Sequence, residues 1–287
     1  MKLWQVKWFR VGVIIISSLL MVGATAAFLS VFSNLNSLSP TPSPKIETPL
    51  PSLQGQLPEP KTLGVATREE SLDPILMYHH IQDVSNFANV VEGGLYVSPA
   101  ELREEMEYLS KLGYKTAILS ELFDDLPDKR VVITFDDGYK DVIDNALPIL
   151  KENGYRAVVF VITDKINQPG YLDWGNLERL KNEGWEIGSH SLTHPDFKIL
   201  SDELAKKQIF ESKKILEDKL KIKVEYFCYP AGRYRETTID LLKEAGYLGA
   251  VTIELGAKNS KDKIFELKRI RIEGNTTFSV FKNYFKK

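Results

Sequence analysis

Cysteine and excess charge are scarce in this chain, and each scarcity excludes a class of protein. Cys228 is the only cysteine among 287 residues, so no intrachain disulfide can form and core packing must hold the fold. The formal net charge is −2, and the sequence has no basic stripe or aromatic-basic alternation. Nucleic acid is therefore excluded as a partner, and nothing in the sequence implies a protein partner.

The first 32 residues have the pattern of a membrane segment. Residues 1–10 contain three basic side chains, and residues 11–32 form an uncharged, mostly apolar run. At ~1.5 Å rise per residue this run can cross a hydrocarbon core of ~30 Å. Its flanking charges predict a cytoplasmic amino terminus and an exported remainder. We expect a single-pass anchor in the cell membrane; the alternative is secretion after cleavage, because Ala24-Thr25-Ala26 resembles a signal-peptidase site.

Two further regions follow the apolar run. Residues 33–70 are rich in proline and serine, which predicts an unstructured linker. Residues 71–287 are long enough for a single α/β domain with a sizeable core. Within them, a glycine followed by an aromatic residue closes a helical stretch and opens an apolar one at four places, beginning at Gly113, Gly154, Gly184 and Gly246. This repetition predicts β-α units with a largely parallel sheet, closed as a barrel.

Histidine is also scarce, and its placement is informative. The four histidines occupy two short segments, Met77-Tyr78-His79-His80 and His190-Ser191-Leu192-Thr193-His194, each at the end of a predicted strand. Thr134-Phe135-Asp136-Asp137-Gly138 ends a third strand. In a parallel barrel these ends meet at one face. Asp137, His190 and His194 then offer three ligands to a catalytic metal ion and leave coordination positions open.

The aspartate and histidine motifs together resemble those of the polysaccharide deacetylase family, the NodB-homology carbohydrate esterases. The resemblance covers roughly residues 74–272 and implies a single catalytic domain with a distorted (β/α)7-type barrel. It implies that Asp136 is the general base and that Asp137, His190 and His194 hold a divalent metal. Zinc is the expected metal, with cobalt, nickel or iron as alternatives.

The chain departs from the family pattern in two motifs. The family places its general acid on a histidine of a Leu-x-His motif, where this chain has Ile253-Glu254-Leu255. The segment around Tyr78 resembles the subgroup that deacetylates poly-N-acetylglucosamine, in which the histidine after the tyrosine is the acid. His79 is therefore the expected acid; His80 and, less favoured, Glu254 are alternatives.

The second altered motif is the family's Arg-x-Pro-Tyr, which appears here as Cys228-Tyr229-Pro230-Ala231 without the arginine that orients the base. Strand alternation puts Arg269 on one face of Leu267–Ile272, so it is a candidate substitute; a solvent-facing cation on an edge strand is the alternative. Tyr229 and Pro230 are expected at the substrate, with oxyanion-binding N–H groups near 229–232.

Trp174 is matched to the family's Asp-Trp wall of the acetyl pocket. A core indole that opens a helix is the alternative.

These features predict a metal-dependent hydrolase that removes acetyl groups from an N-acetylated, N-acetylglucosamine-type polysaccharide outside the cytoplasm. Two alternatives stay open. The same site can cleave O-acetyl esters of xylan-like chains, and altered motifs can also mark a glycan-binding module that has lost catalysis. The N-acetylated glycan and, through the amino-terminal segment, the membrane are the expected partners.

Overall fold

The computed structural model describes residues 69–71, 73–83, 94–126 and 129–286. The predicted membrane segment at 11–32 and nearly all of the predicted linker at 33–70 lie outside the described residues. Among the described helices, none has the length and apolar character needed to cross a membrane.

The elements alternate between strands and helices, as the repeated glycine pattern predicts. The strands are β1 (Glu70–Ser71), β2 (Ile75–Tyr78), β3 (His80–Ile81), β4 (Tyr96–Val97), β5 (Lys115–Ala117), β6 (Arg130–Phe135), β7 (Val158–Val161), β8 (Glu186–Ser189), β9 (Tyr226–Cys228), β10 (Gly249–Leu255), β11 (Asn259–Ser260) and β12 (Leu267–Arg271). The α-helices are α1 (Pro99–Lys111), α2 (Leu147–Glu152), α3 (Trp174–Asn182), α4 (Asp202–Leu220), α5 (Glu236–Glu244) and α6 (Phe278–Asn283).

Seven strands form a closed parallel ring in the order β2, β12, β10, β9, β8, β7 and β6, with β6 pairing back onto β2. The predicted (β/α)7-type barrel is confirmed. Its distortion is visible in the ladder, because β8 and β9 share a single pair, Ser189 with Phe227, and the β10 to β12 register shifts between Val251 and Leu255. The short strand β5 pairs with the start of β6, outside the ring.

The predicted glycine signals have the expected conformations. Gly113, Gly154, Gly184 and Gly246 all have φ between 67° and 80°, where a side chain would be strained. Helix α1 begins with a capping box, in which Ser98 and Glu101 satisfy each other's backbone N–H groups. These local signals fix where each β-α unit ends and so place the strand ends at one face.

Side chains inside the barrel form two zones. The lower zone, towards the amino ends of the strands, is an apolar cluster built from alternate residues of the ring strands, among them Ile75, Val132, Phe160, Val251 and Leu267. Arg130 closes the lower end, where it pairs with Asp73 at 2.6 Å. The upper zone, towards the carboxyl ends of the strands, is polar. A second apolar cluster lies on the outer side of the strands and includes the buried faces of α1, α3 and α4.

Candidate active site

Asp136 is the central group of the polar zone and is almost completely buried, with 3% of its surface exposed. It follows β6, and its backbone N–H donates to the Tyr78 carbonyl on the neighbouring strand at 2.9 Å. Arg269 of β12 donates to both carboxylate oxygens, from Nη1 to Oδ1 at 2.8 Å and from Nη2 to Oδ2 at 2.7 Å. Such a bidentate pair fixes the plane of the carboxylate as well as its position.

Arg269 is fully buried and forms further hydrogen bonds within the barrel. Its Nε donates to the Thr252 carbonyl at 2.8 Å, and Nη1 also donates to Thr134 Oγ1 at 3.0 Å. The expected arginine substitute is therefore present at Asp136, and it belongs to a ring strand that has neighbours on both edges. The alternative, an exposed cation on an edge strand, is ruled out.

The charge balance keeps Asp136 ionised. Burial acts to raise the pKa of this carboxyl, but the Arg269 guanidinium outweighs burial and holds the pKa well below its usual range. Cys228 completes the surroundings, with Sγ 3.4 Å from Asp136 Oδ2 and 3.3 Å from Arg269 Nη2. This contact of Cys228 is one that sequence reasoning missed. Its position, where the resembled motif has an arginine, is the signal that could have revealed it.

Asp137, His190 and His194 lie together beside Asp136. Asp137 Oδ1 is 3.3 Å from His190 Nε2 and 3.7 Å from His194 Nε2. Two ligand atoms each about 2.05 Å from a tetrahedral ion stand about 3.3 Å apart, so this spacing fits a zinc-sized ion. His190 Nδ1 donates to the Cys228 carbonyl at 2.7 Å, which leaves Nε2 as the free nitrogen on the side of Asp137.

A second cluster of possible ligands among the described residues consists of Asp136, His190 and Cys228. Arg269 already engages both oxygens of Asp136, and the His190 nitrogen nearest Cys228 is used by the carbonyl. A cation there would also stand against the guanidinium. The set of Asp137, His190 and His194 is therefore the better metal site.

His79 extends from the end of β2 towards Asp136, with Nε2 4.0 Å from the Oδ2 atom of that carboxylate. The predicted strand through His80 is interrupted here: β2 ends at Tyr78, and β3 pairs with β4 instead of with the ring. Burial lowers the pKa of His79 to about 4, although Asp136 and Asp137 oppose that shift. Nδ1 of His79 is buried and has no hydrogen-bond partner within the described residues.

The other candidates for the acid lie elsewhere. His80 Nδ1 donates to Asp141 Oδ2 at 2.5 Å, and its ring is stacked between Tyr96 and Tyr139. Glu254 is exposed on β10. Among these candidates, His79 is the one beside Asp136, with Nε2 4.0 Å from Oδ2.

The structure places Tyr229 and Trp174 in packed surroundings, and their contacts with a substrate stay predictions. The Tyr229 ring is buried and stacked on Tyr234 at 4.1 Å, and its hydroxyl donates to the Phe265 carbonyl. Trp174 is the first residue of α3 and packs in the outer cluster, with Lys219 of α4 over its ring. Trp174 therefore opens a helix, as the alternative expected, and its place in the wall of an acetyl pocket stays a prediction.

The loop after β9 offers less to an oxyanion than expected. Tyr229 N donates to the Val251 carbonyl at 3.3 Å and Gly232 N to the Tyr229 carbonyl at 2.8 Å. Pro230 has no N–H and begins a short 3-10 turn. Ala231, at φ 51°, carries the remaining N–H of this segment.

Known proteins resemble this chain in sequence and in structure. The family model for polysaccharide deacetylases matches residues 124–250. The "Putative polysaccharide deacetylase YxkH" of Bacillus subtilis (strain 168) is 30% identical over 255 residues, which cover 83% of this chain and 88% of that protein. The poly-beta-1,6-N-acetyl-D-glucosamine N-deacetylase of Staphylococcus aureus (strain MRSA252) is 23% identical over 209 residues, which cover 66% of this chain and 71% of that protein. The structure of the Streptococcus pyogenes deacetylase PplD in complex with acetate superposes with a TM-score of 0.67 at 27% identity, covering 75% of this chain and 98% of that one.

Proposed function

Because this chain belongs to the polysaccharide deacetylase family of hydrolases, we propose that it is a metal-dependent N-deacetylase of an N-acetylglucosamine-type polysaccharide, releasing acetate. One observation carries the proposal. A buried, ionised carboxylate, Asp136, lies beside three side chains whose ligand atoms are spaced for one metal ion. Base and metal ligands at the mouth of a barrel are the arrangement that hydrolysis of an unactivated amide requires.

Asp137, His190 and His194 would hold the metal, and zinc suits the mixed nitrogen and oxygen donors best; cobalt, nickel and iron accept the same set. When bound, a divalent metal supplies a Lewis acid for the acetyl carbonyl and makes a water molecule more acidic. That contribution matters here because Asp136, with its depressed pKa, is a weak base. Arg269 compensates by fixing the carboxylate in one orientation.

The chemical step can be written for the residues of this chain. Asp136 removes a proton from water as the water oxygen bonds to the acetyl carbon. The carbon-nitrogen bond then breaks, acetate leaves, and the glucosamine nitrogen takes up a proton. The Ala231 N–H is the group in the β9 loop that we assign to the carbonyl oxygen during this step.

His79 delivers the proton to the departing nitrogen. With a pKa of about 4, its imidazole is neutral at pH 7 before the reaction begins. It therefore acts as a carrier: the proton that Asp136 takes from water passes to His79, 4.0 Å away, and then to the amine. No proton needs to be stored on His79 in the resting enzyme.

The low pKa of His79 also favours a second candidate function, O-acetyl esterase activity. An alkoxide leaves more readily than an amine anion, so an ester depends less on a proton donor. Xylan-like acetyl esters are the substrates for this alternative.

We further propose that the substrate is an envelope glycan outside the cytoplasm. The support is the apolar run at residues 11–32, with an anchored form as the first expectation and a secreted form as the alternative. The name of the Staphylococcus aureus relative adds poly-β-1,6-N-acetylglucosamine to the substrates to be tested.

The test is acetate release by the full-length protein supplied with zinc. The panel contains oligomers of β-1,6- and β-1,4-linked N-acetylglucosamine, peptidoglycan strands and acetylated xylan, and mass analysis identifies each product. We expect acetate and free amines from at least one N-acetylated glycan, and none from the Asp136→Asn variant. Release from xylan alone would favour the esterase, and no release from any substrate would refute both activities.

A further inference from the structure

His80 is the histidine to which the proposed reaction assigns no role, although it is next to His79. It opens β3, and its ring lies between two tyrosine rings in a nearly parallel stack. The centroid distances are 4.2 Å to Tyr96, at an interplanar angle of 3°, and 3.5 Å to Tyr139, at 22°. Tyr139 follows Asp137-Gly138 directly, so the stack reaches the loop that carries the first metal ligand.

Hydrogen bonds join the same two segments. His80 Nδ1 donates to Asp141 Oδ2 at 2.5 Å, and the other oxygen of Asp141 accepts from the Ile81 N–H at 3.0 Å. Asn145 Nδ2 donates to the Ile81 carbonyl at 2.7 Å. Residues 139–145 are thus tied to residues 80–81 by one ring stack and three hydrogen bonds.

The backbone just before this tied segment is strained. Asp137 has φ 72°, in the left-handed region that a non-glycine residue occupies only where its surroundings fix it, and Gly138 follows with φ 78°. On its other side the loop is held by Leu172, whose N–H donates to the Gly138 carbonyl at 2.9 Å. In this conformation the Asp137 carboxylate faces His190 and His194.

We propose that His80 is a positioning residue for the metal site: by holding Tyr139 and Asp141, it keeps Asp137 in the strained conformation that presents its carboxylate to the metal. An imidazole suits this position because it combines a flat ring for the stack with an N–H for Asp141. Phenylalanine or asparagine would keep only one of these two functions. The inference rests on the proposed metal site and is independent of which glycan is the substrate.

The experiment is calorimetric titration of zinc ions alone into the metal-free, full-length protein and its variants. His80→Phe keeps the ring and removes the hydrogen bond to Asp141. Asp141→Asn keeps the shape, but its single amide oxygen cannot accept from both His80 and Ile81. We expect each variant to bind zinc roughly 10- to 100-fold more weakly, the usual effect of losing a residue that orients a ligand.

The matched control is Tyr155→Phe, which removes a hydroxyl that donates to the Tyr114 carbonyl away from the site. It should leave the zinc affinity unchanged. A purely structural role for His80 predicts a lower melting temperature of the metal-free variant with an unchanged zinc affinity, and that result would overturn the proposal. So would the absence of zinc binding by the unaltered protein. If His80→Phe does not fold, the zinc affinity of Asp141→Asn tests the proposal instead.

Zinc binding also separates this proposal from the proposed substrate. An unaltered protein that binds zinc but releases no acetate from any glycan would refute the enzymatic function and leave the role of His80 to be judged by the affinities. The absorption spectrum of the cobalt-loaded protein provides a second measurement, because it reports the ligand geometry directly. We expect His80→Phe to change that spectrum and Tyr155→Phe to leave it as it is.

Discussion

Replacement of Arg269 by methionine should turn a stabilising carboxylate into a destabilising one. In the unaltered protein the guanidinium holds the pKa of Asp136 below its value in the unfolded chain. The pair therefore contributes stability above about pH 3.9, and this contribution is lost only as the pH falls through the depressed pKa. In Arg269→Met the carboxyl stays buried without its partner, so burial alone acts and the pKa should rise.

The loss of stability in Arg269→Met has an upper limit, because the buried Asp136 carboxylate can take up a proton instead of staying charged. Carrying Asp136 into the fold as a neutral acid costs about 1.36 kcal/mol for each pH unit above an unfolded pKa of about 3.9. The cost is about 4 kcal/mol at pH 7 and about 1.5 kcal/mol at pH 5. The cost at pH 7 agrees with the loss of about 3–5 kcal/mol that is typical when one partner of a buried ion pair is removed.

Urea unfolding at pH 5, 6 and 7 measures this dependence. The difference in unfolding free energy between Arg269→Met and the unaltered protein should grow by about 1.36 kcal/mol per pH unit. The double variant Asp136→Asn with Arg269→Met has no carboxyl at this position, so the pH dependence should disappear. An Arg269→Met penalty that is equal at pH 5 and pH 7 would refute the buried pair as the source of the effect.

Three further predictions concern the charge states and the ligands. Burial raises the pKa of Glu105, which accepts from the Tyr78 hydroxyl at 2.8 Å, from 4.5 to about 8, so the folded protein keeps a proton that the unfolded chain releases. Stability should fall as pH rises between these two values, and Glu105→Gln should remove this slope in thermal unfolding, whereas a slope that persists would assign it to other groups. Asp137→Ala should lose bound zinc in metal analysis, whereas Asp136→Asn should keep zinc and lose acetate release; the reverse outcome would exchange their roles. His79→Ala should slow amide hydrolysis by about 10²-fold or more and slow acetate-ester hydrolysis less, and equal losses would contradict its role as proton carrier.

The fold could be predicted from the sequence because its signals are local. A glycine with positive φ, a capping box and an alternating strand each depend on a few neighbouring residues. The Asp-Trp pair at 173–174 shows where a local signal is ambiguous. Asp173 is the N-cap of α3 and forms a capping box with Asn176, so the pair marks the start of a helix as well as resembling a pocket motif.

The same limit applies to groups that meet across the barrel. Neither the spacing nor the composition of residues 80–141 indicates that His80 contacts Asp141, because that contact depends on the side-by-side pairing of β2 and β6.

Arg269 meets Asp136 because the sheet closes into a barrel. Strand alternation in β12 determines that Leu267 and Arg269 share a face, but on an open sheet that face could be covered by solvent. Because β12 lies between β10 and β2 in a closed ring, the face points into the barrel, and a cation there must have a buried anion. Asp136, directly after β6 and two strands away, meets this need. An arginine that pairs with Asp136 can therefore come from β12 as well as from β9, since side chains of both strands reach the same polar zone.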